Sequence, residues 1–427
     1  MKRNIIFNCF FAIMVFFLAS CNDPVFYVIS TDVRPLEPII KGVPTNFAVY
    51  DGALYVASGR VLYKYWNNNP DDTNNPAIWY GGESVSAVPQ PAVPGGGSII
   101  QIASTGNYLY ALCFSDSGGG SSARSILQRY NGAEWEELNV ETGVIMLNIF
   151  AANDYIFIKT QIPGGGFRVM YAAGTVSAGT AIMPLMLNNE PFEGNITGAV
   201  FDGSNYYICT SQGIFKAPNP ASGVTIIYRD DSPGIQFIGM INLETANNII
   251  ALITRGTSSQ GARLYLLQDD NLTLAKVDAT TDISLGNRIA TGALAIYRTA
   301  GDQKLLLAGR QDRLNYIAES GFSYGYLELE IDSNGIKTET SDDGVTKNKN
   351  FVEPGRNSPS TVGTENVERY TFRSTIGKHP VNYLFQAPSD IDREMILFAS
   401  TQKNGVWSYR DRSGKGQWNA EDNKLPR

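Results

Sequence analysis

Histidine is almost absent from this sequence of 427 residues, in which His379 is the single example. A histidine-based metal cluster or a Ser-His-Asp triad would have to rest on that residue alone, and its place in "IGKHPVNY", just before an apolar segment, indicates a surface turn. The chain also has no C-x-x-C pair and no H-E-x-x-H helix. The sequence therefore predicts no catalytic residue, no metal site and no cofactor.

Charge and cysteine are scarce as well. Charged residues make up 18% of the chain and the net charge is −7, an acidic balance that argues against nucleic acid as a partner. Of four cysteines, Cys113 and Cys209 lie in apolar, strand-like runs. A disulfide between them is one interpretation for an oxidising compartment. Buried free thiols are favoured, because the two residues fall in non-adjacent repeat units and a disulfide needs Cα atoms within about 7 Å.

Helical periodicity is also missing, since no stretch beyond residue 20 keeps a 3.6-residue apolar period for long. What recurs instead is an apolar strand, a turn rich in Gly, Asn or Asp, and a second apolar strand, which is typical of a hairpin. Seven copies cover residues 45–58, 99–114, 145–160, 196–210, 237–254, 292–309 and 381–400.

A shorter pair of strands follows most of these hairpins, often ending in an aromatic residue. Such pairs cover residues 60–66, 126–138, 213–228, 262–277 and 405–418. Four short strands per unit and seven units predict an all-β fold, a seven-bladed β-propeller over residues 45–425. The tryptophans and many tyrosines fall at strand positions, so blade packing explains them better than a carbohydrate-binding surface.

Three polar or glycine-rich features have some of the composition of ligand sites. None of the Gly-Gly-Gly segments, at 95–97, 118–120 and 164–166, precedes a helical pattern, so they indicate hairpin or inter-blade loops and not phosphate sites. Residues 332–344 lack the ligand order of a calcium loop and indicate turns. The polar segment 341–369 predicts a long solvated loop before the seventh unit, with a mobile flap over a binding face as the alternative.

The N-terminus carries the one specific motif. Lys2 and Arg3 precede an unbroken apolar run at 9–19, which is too short to predict a spanning helix. The run ends in Leu18-Ala19-Ser20-Cys21, which resembles the lipobox of bacterial lipoproteins. A plain secretory signal and an uncleaved anchor are the alternatives.

The lipobox resemblance implies cleavage between Ser20 and Cys21 and acylation of the Cys21 sulfur, so that palmitate-type chains anchor the protein in the lipid bilayer. Residues 1–20 would be the signal peptide and 21–44 the lipidated N-terminus and tether. The apolar segment 25–30 is a candidate closing strand for the propeller, and closure within the seventh blade is the alternative. In the enterobacterial sorting rule, Asn22 in place of Asp after the cysteine indicates the outer membrane.

The whole chain is similar in architecture to propeller lipoproteins of spirochaetes and other diderm bacteria, although no kelch or WD repeat signature recurs. The resemblance implies an extracytoplasmic binding or scaffolding module that engages a protein or glycan partner through its loops. The alternative is a glycan-active hydrolase or lyase with a carboxylate site at the propeller channel. Converging acidic side chains at the channel mouth would favour the enzyme, whereas evenly polar channel walls would favour binding.

Overall fold

Four-stranded antiparallel sheets follow one another along the chain in a computed structural model. The structure describes residues 39–67, 77–81, 88–115, 123–141, 143–175, 181–230, 235–255, 262–275, 293–299, 303–308, 326–337, 339–340, 346–347, 376, 379–392, 395–402, 404–410 and 417–421. Ser20, Cys21, the candidate closing strand 25–30 and most of the predicted loop 341–369 lie outside these ranges.

Seven such sheets form the seven blades, and each consists of strands in sequence order. The strands of blades 1 to 4 are, in order, Pro44–Tyr50, Ala53–Ser58, Val61–Trp66 and Ile78–Tyr80; Ser98–Ser104, Leu109–Ser115, Arg124–Tyr130 and Trp135–Glu137; Ile145–Ala152, Tyr155–Gln161, Phe167–Ala173 and Met183–Pro184; Ile196–Phe201, Tyr206–Thr210, Gly213–Ala217 and Thr225–Arg229. Those of blades 5 to 7 are Phe237–Asn242, Ile250–Thr254, Leu264–Gln268 and Asn271–Leu274; Leu294–Arg298, Gln303–Ala308, Tyr326–Asp332 and Gly335–Ile336; Val381–Gln386, Leu397–Thr401, Val406–Arg410 and Gln417–Ala420.

The first strand of each blade lies beside the first strand of the next, and that of blade 7 returns to that of blade 1. The seven first strands therefore surround an axis, and the molecule is a seven-bladed β-propeller. This confirms the predicted fold class. The seven predicted hairpins are the first and second strands of the seven blades.

Apolar side chains form one cluster at each of the seven blade junctions. Second strands are buried on both faces, as in Tyr206–Thr210 and Leu397–Thr401, where every residue is buried. A strand with neighbouring blades on both sides must be apolar on both faces, and this explains the nearly continuous apolar runs in the sequence. The hydrophobic effect thus acts mainly between blades.

Tight turns join the strands. Asp51 and Gly52 connect the first two strands of blade 1, and Asp269 and Asp270 connect the last two strands of blade 5, with positive φ at all four residues. Paired positive φ values are those of type I′ turns, whose twist matches that of the flanking strands. Asp332 begins another turn, accepting a hydrogen bond from the Asn334 N–H at 2.7 Å, so the predicted turn is present there.

The ring closes between blades 7 and 1. Blade 7 is completed by its own fourth strand, and buried Glu421 immediately follows it. The Glu421 carboxylate accepts a hydrogen bond from Trp79 Nε1 of blade 1 at 2.9 Å and another from Ser408 Oγ of blade 7. The backbone N–H of Ile39 donates to the Glu421 carbonyl at 2.8 Å. Glu421 therefore joins blade 7 to blade 1 through its carboxylate, and to the first described residue through its backbone.

Two short hairpins lie outside the seven blades. A two-stranded hairpin over Met186–Leu187 and Glu190–Pro191 follows blade 3, and Glu339–Thr340 pairs with Thr346–Lys347 after blade 6. The second hairpin places Thr346–Lys347 in a strand inside the segment predicted as a loop. Helix in the described ranges consists of a 3₁₀ turn at Pro220–Ser222, one α-turn at Ser389–Asp392 and the 3₁₀ residue Ile376. None of the described helices is long and apolar enough to cross a membrane.

Candidate functional site

An axial channel opens among the described residues. It encloses about 1000 Å³, and residues in or next to the first strands of all seven blades line it. It lies at the end of the propeller where the first strands begin, which we call the entry end; the opposite end carries the Asp51–Gly52 turn and is called the turn end. The polar lining residues include Thr45, Gln101, Asn148, Asn195, Thr197 and Asn382.

Irregular strand pairing shapes this lining. In six of the seven blades the pairing of first and second strands shifts register near the entry end. The skipped residues include Ile100, Thr197, Ile238 and Asn382, and all four line the channel. A bulge bends the strand and redirects a side chain. The repeated bulges thus turn selected side chains of the first strands towards the axis.

Amide side chains connect neighbouring first strands and fix the channel wall. Gln101 of blade 2 accepts from the Ile149 N–H at 2.8 Å and donates to the Ile149 carbonyl at 2.6 Å. Asn46 of blade 1 forms the same pair of bonds with the backbone of Ile102, at 3.1 and 2.6 Å. Each amide thus takes the place of the pair of backbone hydrogen bonds that would join two neighbouring strands of one sheet. The positions of the lining residues are therefore set by hydrogen bonds as well as by packing.

Two lining asparagines leave hydrogen-bonding capacity unused. The side-chain oxygens of Asn195 and Asn382 are buried and have no partner in the part of the chain that the structure describes. Asn148 donates weakly to the Gln101 side-chain oxygen at 3.4 Å. Phe150 and Tyr383 add aromatic rings to the same wall. Neutral amides, hydroxyls and aromatic surface are groups that bind polar organic ligands.

Lys159 is the one charged side chain among the described lining residues. It belongs to the second strand of blade 3, opposite Asn148 of the first strand. Its Nζ lies 4.3 Å from the centre of the Phe167 ring, a cation–π contact. Burial lowers the pKa of the Lys159 ammonium below its ordinary value, because desolvation disfavours the charged form.

A smaller cavity of about 420 Å³ lies between blades 2 and 3, also at the entry end. Its wall includes Arg124, Ser125 and Gln161 together with the loop at Gly164–Gly165. The Gly-Gly-Gly segment 164–166 joins two strands of blade 3 and the segment 95–97 precedes blade 2, so both are hairpin or inter-blade loops as predicted. The third segment, 118–120, lies outside the described residues.

The described residues that the sequence singled out do not converge on the channel. His379 is half-buried against the Trp407 ring, with ring centres 5.0 Å apart, in the turn that precedes blade 7. Cys113 and Cys209 are buried free cysteines, as predicted. No acidic side chain occurs among the described residues that line the channel, where the alternative enzyme hypothesis placed a carboxylate site.

The channel residues themselves were not predicted. Each looks like an ordinary polar residue in a strand, and the bulge that turns it inward depends on pairing with the second strand. One signal was available in the sequence: asparagines recur in the first halves of first strands or just before them, at positions 148, 195 and 382. Polar residues at equivalent positions of repeated units indicate a shared environment, here the axis.

One motif was missed. Residues 321–325 read GFSYG and match the G-x-S-x-G pattern of the nucleophile elbow. That elbow places its serine between a strand and a helix. Here the next described element is the strand Tyr326–Asp332, and residues 321–325 lie outside the described ranges. The sequence match alone therefore does not identify a nucleophile.

No protein-family model matches the sequence, and no curated protein matches it. Solved structures with a similar fold include an ancestral GH74 enzyme, with a TM-score of 0.54, 14% identity and coverage of 91% of this chain and 47% of that chain. A puromycin hydrolase matches with a TM-score of 0.45 and 16% identity over 73% of this chain and 51% of its own. The BP39L lectin from Burkholderia pseudomallei matches with a TM-score of 0.47 and 11% identity over 90% and 99% of the two chains.

The chain spans about half the length of the two hydrolase structures. The likeness to the GH74 enzyme, at 14% identity, shows the propeller fold alone.

Proposed function

We propose that the protein is an extracytoplasmic binding module, held in the outer membrane by acylated Cys21, and that it binds a glycan in the axial channel at the entry end. The channel is the observation that supports binding. Its volume of about 1000 Å³ lies at the upper end of the range of about 300–1,000 Å³ for ligand sites. The lipobox residues Leu18-Ala19-Ser20-Cys21 support the proposed membrane anchor.

The lining chemistry supports a glycan as the ligand. Amide groups such as those of Asn195 and Asn382 can donate to and accept from sugar hydroxyls, while the Phe150 and Tyr383 rings offer apolar surface to the faces of sugar rings. The bulged first strands hold these groups on a rigid frame before any ligand arrives, which lowers the entropic cost of binding.

Replacing Asn382 by Leu tests this proposal. The substitution keeps the branched shape and the number of heavy atoms of asparagine and removes an amide whose oxygen has no described partner, so the fold should tolerate it. The mature protein, extracted in detergent, is screened against an array of neutral and acidic oligosaccharides, and the strongest binder is measured by calorimetry. We expect N382L to weaken that binding about 10-fold, the effect of one lost hydrogen bond to a buried polar group.

Gln268→Leu is the matched control, because Gln268 is an exposed amide at the turn end and should not affect binding. A glycan whose affinity falls equally in both variants does not bind in the channel. A propeller that retains no oligosaccharide, but captures envelope proteins through its loops, contradicts the glycan proposal and supports the protein partner that the sequence left open.

A further inference from the structure

The charge of Lys159 distinguishes one part of the channel from the rest. Its ammonium is half-buried, and in the described part of the chain no carboxylate lies within 4 Å of it. By contrast, Lys304, another buried lysine, is paired with Glu328 at 3.3 Å in the junction of blades 6 and 7. A partly desolvated cation without a counter-charge is unfavourable, so its retention in a ligand channel indicates that the ligand supplies the negative charge.

The immediate surroundings of Lys159 are suited to a sugar. Asn148 is its partner on the neighbouring first strand, and Phe150 lies on the same face of that strand. Thr197, at the bulge of blade 4, lines the same channel. The Phe167 ring fixes the direction of the ammonium from one side. An amide, a hydroxyl and an aromatic ring thus lie in the same wall as the single cation.

One lysine also limits the charge of the group it binds. Phosphate groups are usually held by several donors, often the planar fork of arginine or successive backbone N–H groups. In the described channel wall the cationic contribution is one ammonium, which balances one negative charge. A carboxylate fits that arrangement better than a phosphate dianion.

We propose that the channel is selective for acidic glycans, and that Lys159 Nζ binds the carboxylate of a uronic acid unit. This inference rests on the proposed glycan-binding function and specifies its ligand class. No bond is made or broken in the interaction. Recognition consists of a charge-assisted hydrogen bond between ammonium and carboxylate, with the sugar hydroxyls held by the neighbouring amides and hydroxyls.

Matched ligands test the inference. Trisaccharides of galacturonate, glucuronate and mannuronate are compared with their methyl esters, which keep the sugar and lose the charge, and with neutral trisaccharides of the parent hexoses. Calorimetry uses the mature protein in detergent. We expect at least one free acid to bind about 10-fold more tightly than its ester, since hydrogen bonds to charged groups contribute more than neutral ones.

Variants of the lysine assign the effect to its charge. Lys159→Met should abolish the preference for acid over ester, and Lys159→Arg should keep it. Lys64→Met is the matched control: Lys64 is also half-buried, its pKa is also lowered by burial, and its Nζ also lies 4.3 Å from an aromatic ring, that of Trp66, but at the turn end. This variant should keep the full preference.

The outcomes separate the two proposals. Equal binding of acids, esters and neutral sugars overturns the acidic-glycan inference and leaves the glycan-binding function standing. A preference for acids that survives Lys159→Met overturns the role of Lys159. Failure of all these trisaccharides to bind the wild-type protein, while neutral oligosaccharides on the array do bind, also overturns the inference. Failure of every glycan overturns the proposed function itself.

Discussion

At the scale of single residues, Cys113 and Cys209 show what burial does to chemistry in this fold. Both lie in second strands, in blades 2 and 4, and both are completely shielded from solvent. Burial raises the pKa of each thiol to about 12, because desolvation disfavours the thiolate. Since the thiolate is the reactive species, a thiol with that pKa and no access to solvent is inert.

We therefore expect the native mature protein to show no reaction with a thiol reagent at pH 8, and two equivalents to react after denaturation in guanidinium without reductant. Cys21, if acylated on sulfur, adds nothing to the count. Each single variant, Cys113→Ala or Cys209→Ala, should lower the count by one. A native thiol that reacts quickly would contradict the burial, and a count of zero in the denatured protein would show a disulfide.

At the scale of elements, side-chain amides replace backbone pairing where two first strands meet. Gln101 forms two hydrogen bonds with Ile149, so Gln101→Leu leaves an N–H and a carbonyl of a buried residue without partners. Each orphaned group costs about 1–3 kcal/mol, and we expect a loss of about 2–4 kcal/mol in the free energy of unfolding. Urea unfolding measures the loss, and hydrogen exchange in the strand Ile145–Ala152 should quicken.

Gln402→Leu is the control for that change, because Gln402 also lines the channel but its side chain makes no hydrogen bond within the described residues. Its effect should stay within about 0.5 kcal/mol. Equal destabilisation by both substitutions would mean that channel polarity in general, and not the link between blades 2 and 3, accounts for the loss.

The sequence predicts some of these elements and not others. Alternating and continuous apolar runs predict the strands because burial between blades requires them, and turns such as Asp51–Gly52 predict the hairpins. The hairpin Met186–Leu187 with Glu190–Pro191 was missed, because strands of two residues leave no periodic pattern. Channel residues such as Asn382 could not be assigned, since a bulge is a property of two paired strands and not of one.

At the scale of the whole molecule, ring closure depends on the junction of blades 7 and 1. Trp79 donates from Nε1 to the buried Glu421 carboxylate, and its ring packs on Tyr65 and Phe398 at centre distances of 5.1 and 5.6 Å. Trp79→Phe removes the donor and part of the ring from a junction that the remaining blades cannot replace. We expect a loss of at least about 2 kcal/mol in the free energy of unfolding.

Circular dichroism during urea unfolding measures this loss, with Trp66→Phe as the control. Trp66 belongs to the same blade but is 37% exposed, so its replacement should cost less than about 1 kcal/mol. If the two substitutions cost the same, the Glu421 carboxylate does not hold the ring closed.

The proposed attachment of the whole molecule to a membrane depends on Cys21, which is distant in sequence from that junction. Ile39, the first described residue, is bonded to the Glu421 backbone at the closing junction, and 17 residues separate it from Cys21. At about 3.5 Å per residue, that segment can reach at most about 60 Å. If Cys21 carries the acyl chains, the propeller is tethered from the seam between blades 7 and 1.

Cys21→Ala should therefore separate attachment from folding. We expect the variant to lose incorporation of radiolabelled palmitate and to leave the membrane pellet, while its circular dichroism and the burial of Cys113 and Cys209 stay unchanged. Cys9→Ala is the control, because Cys9 lies within the predicted signal peptide and its loss should leave labelling and membrane attachment intact. Continued acylation and sedimentation of the Cys21→Ala protein would contradict the lipobox assignment, since no other residue of Leu18-Ala19-Ser20-Cys21 offers a thiol to acylate.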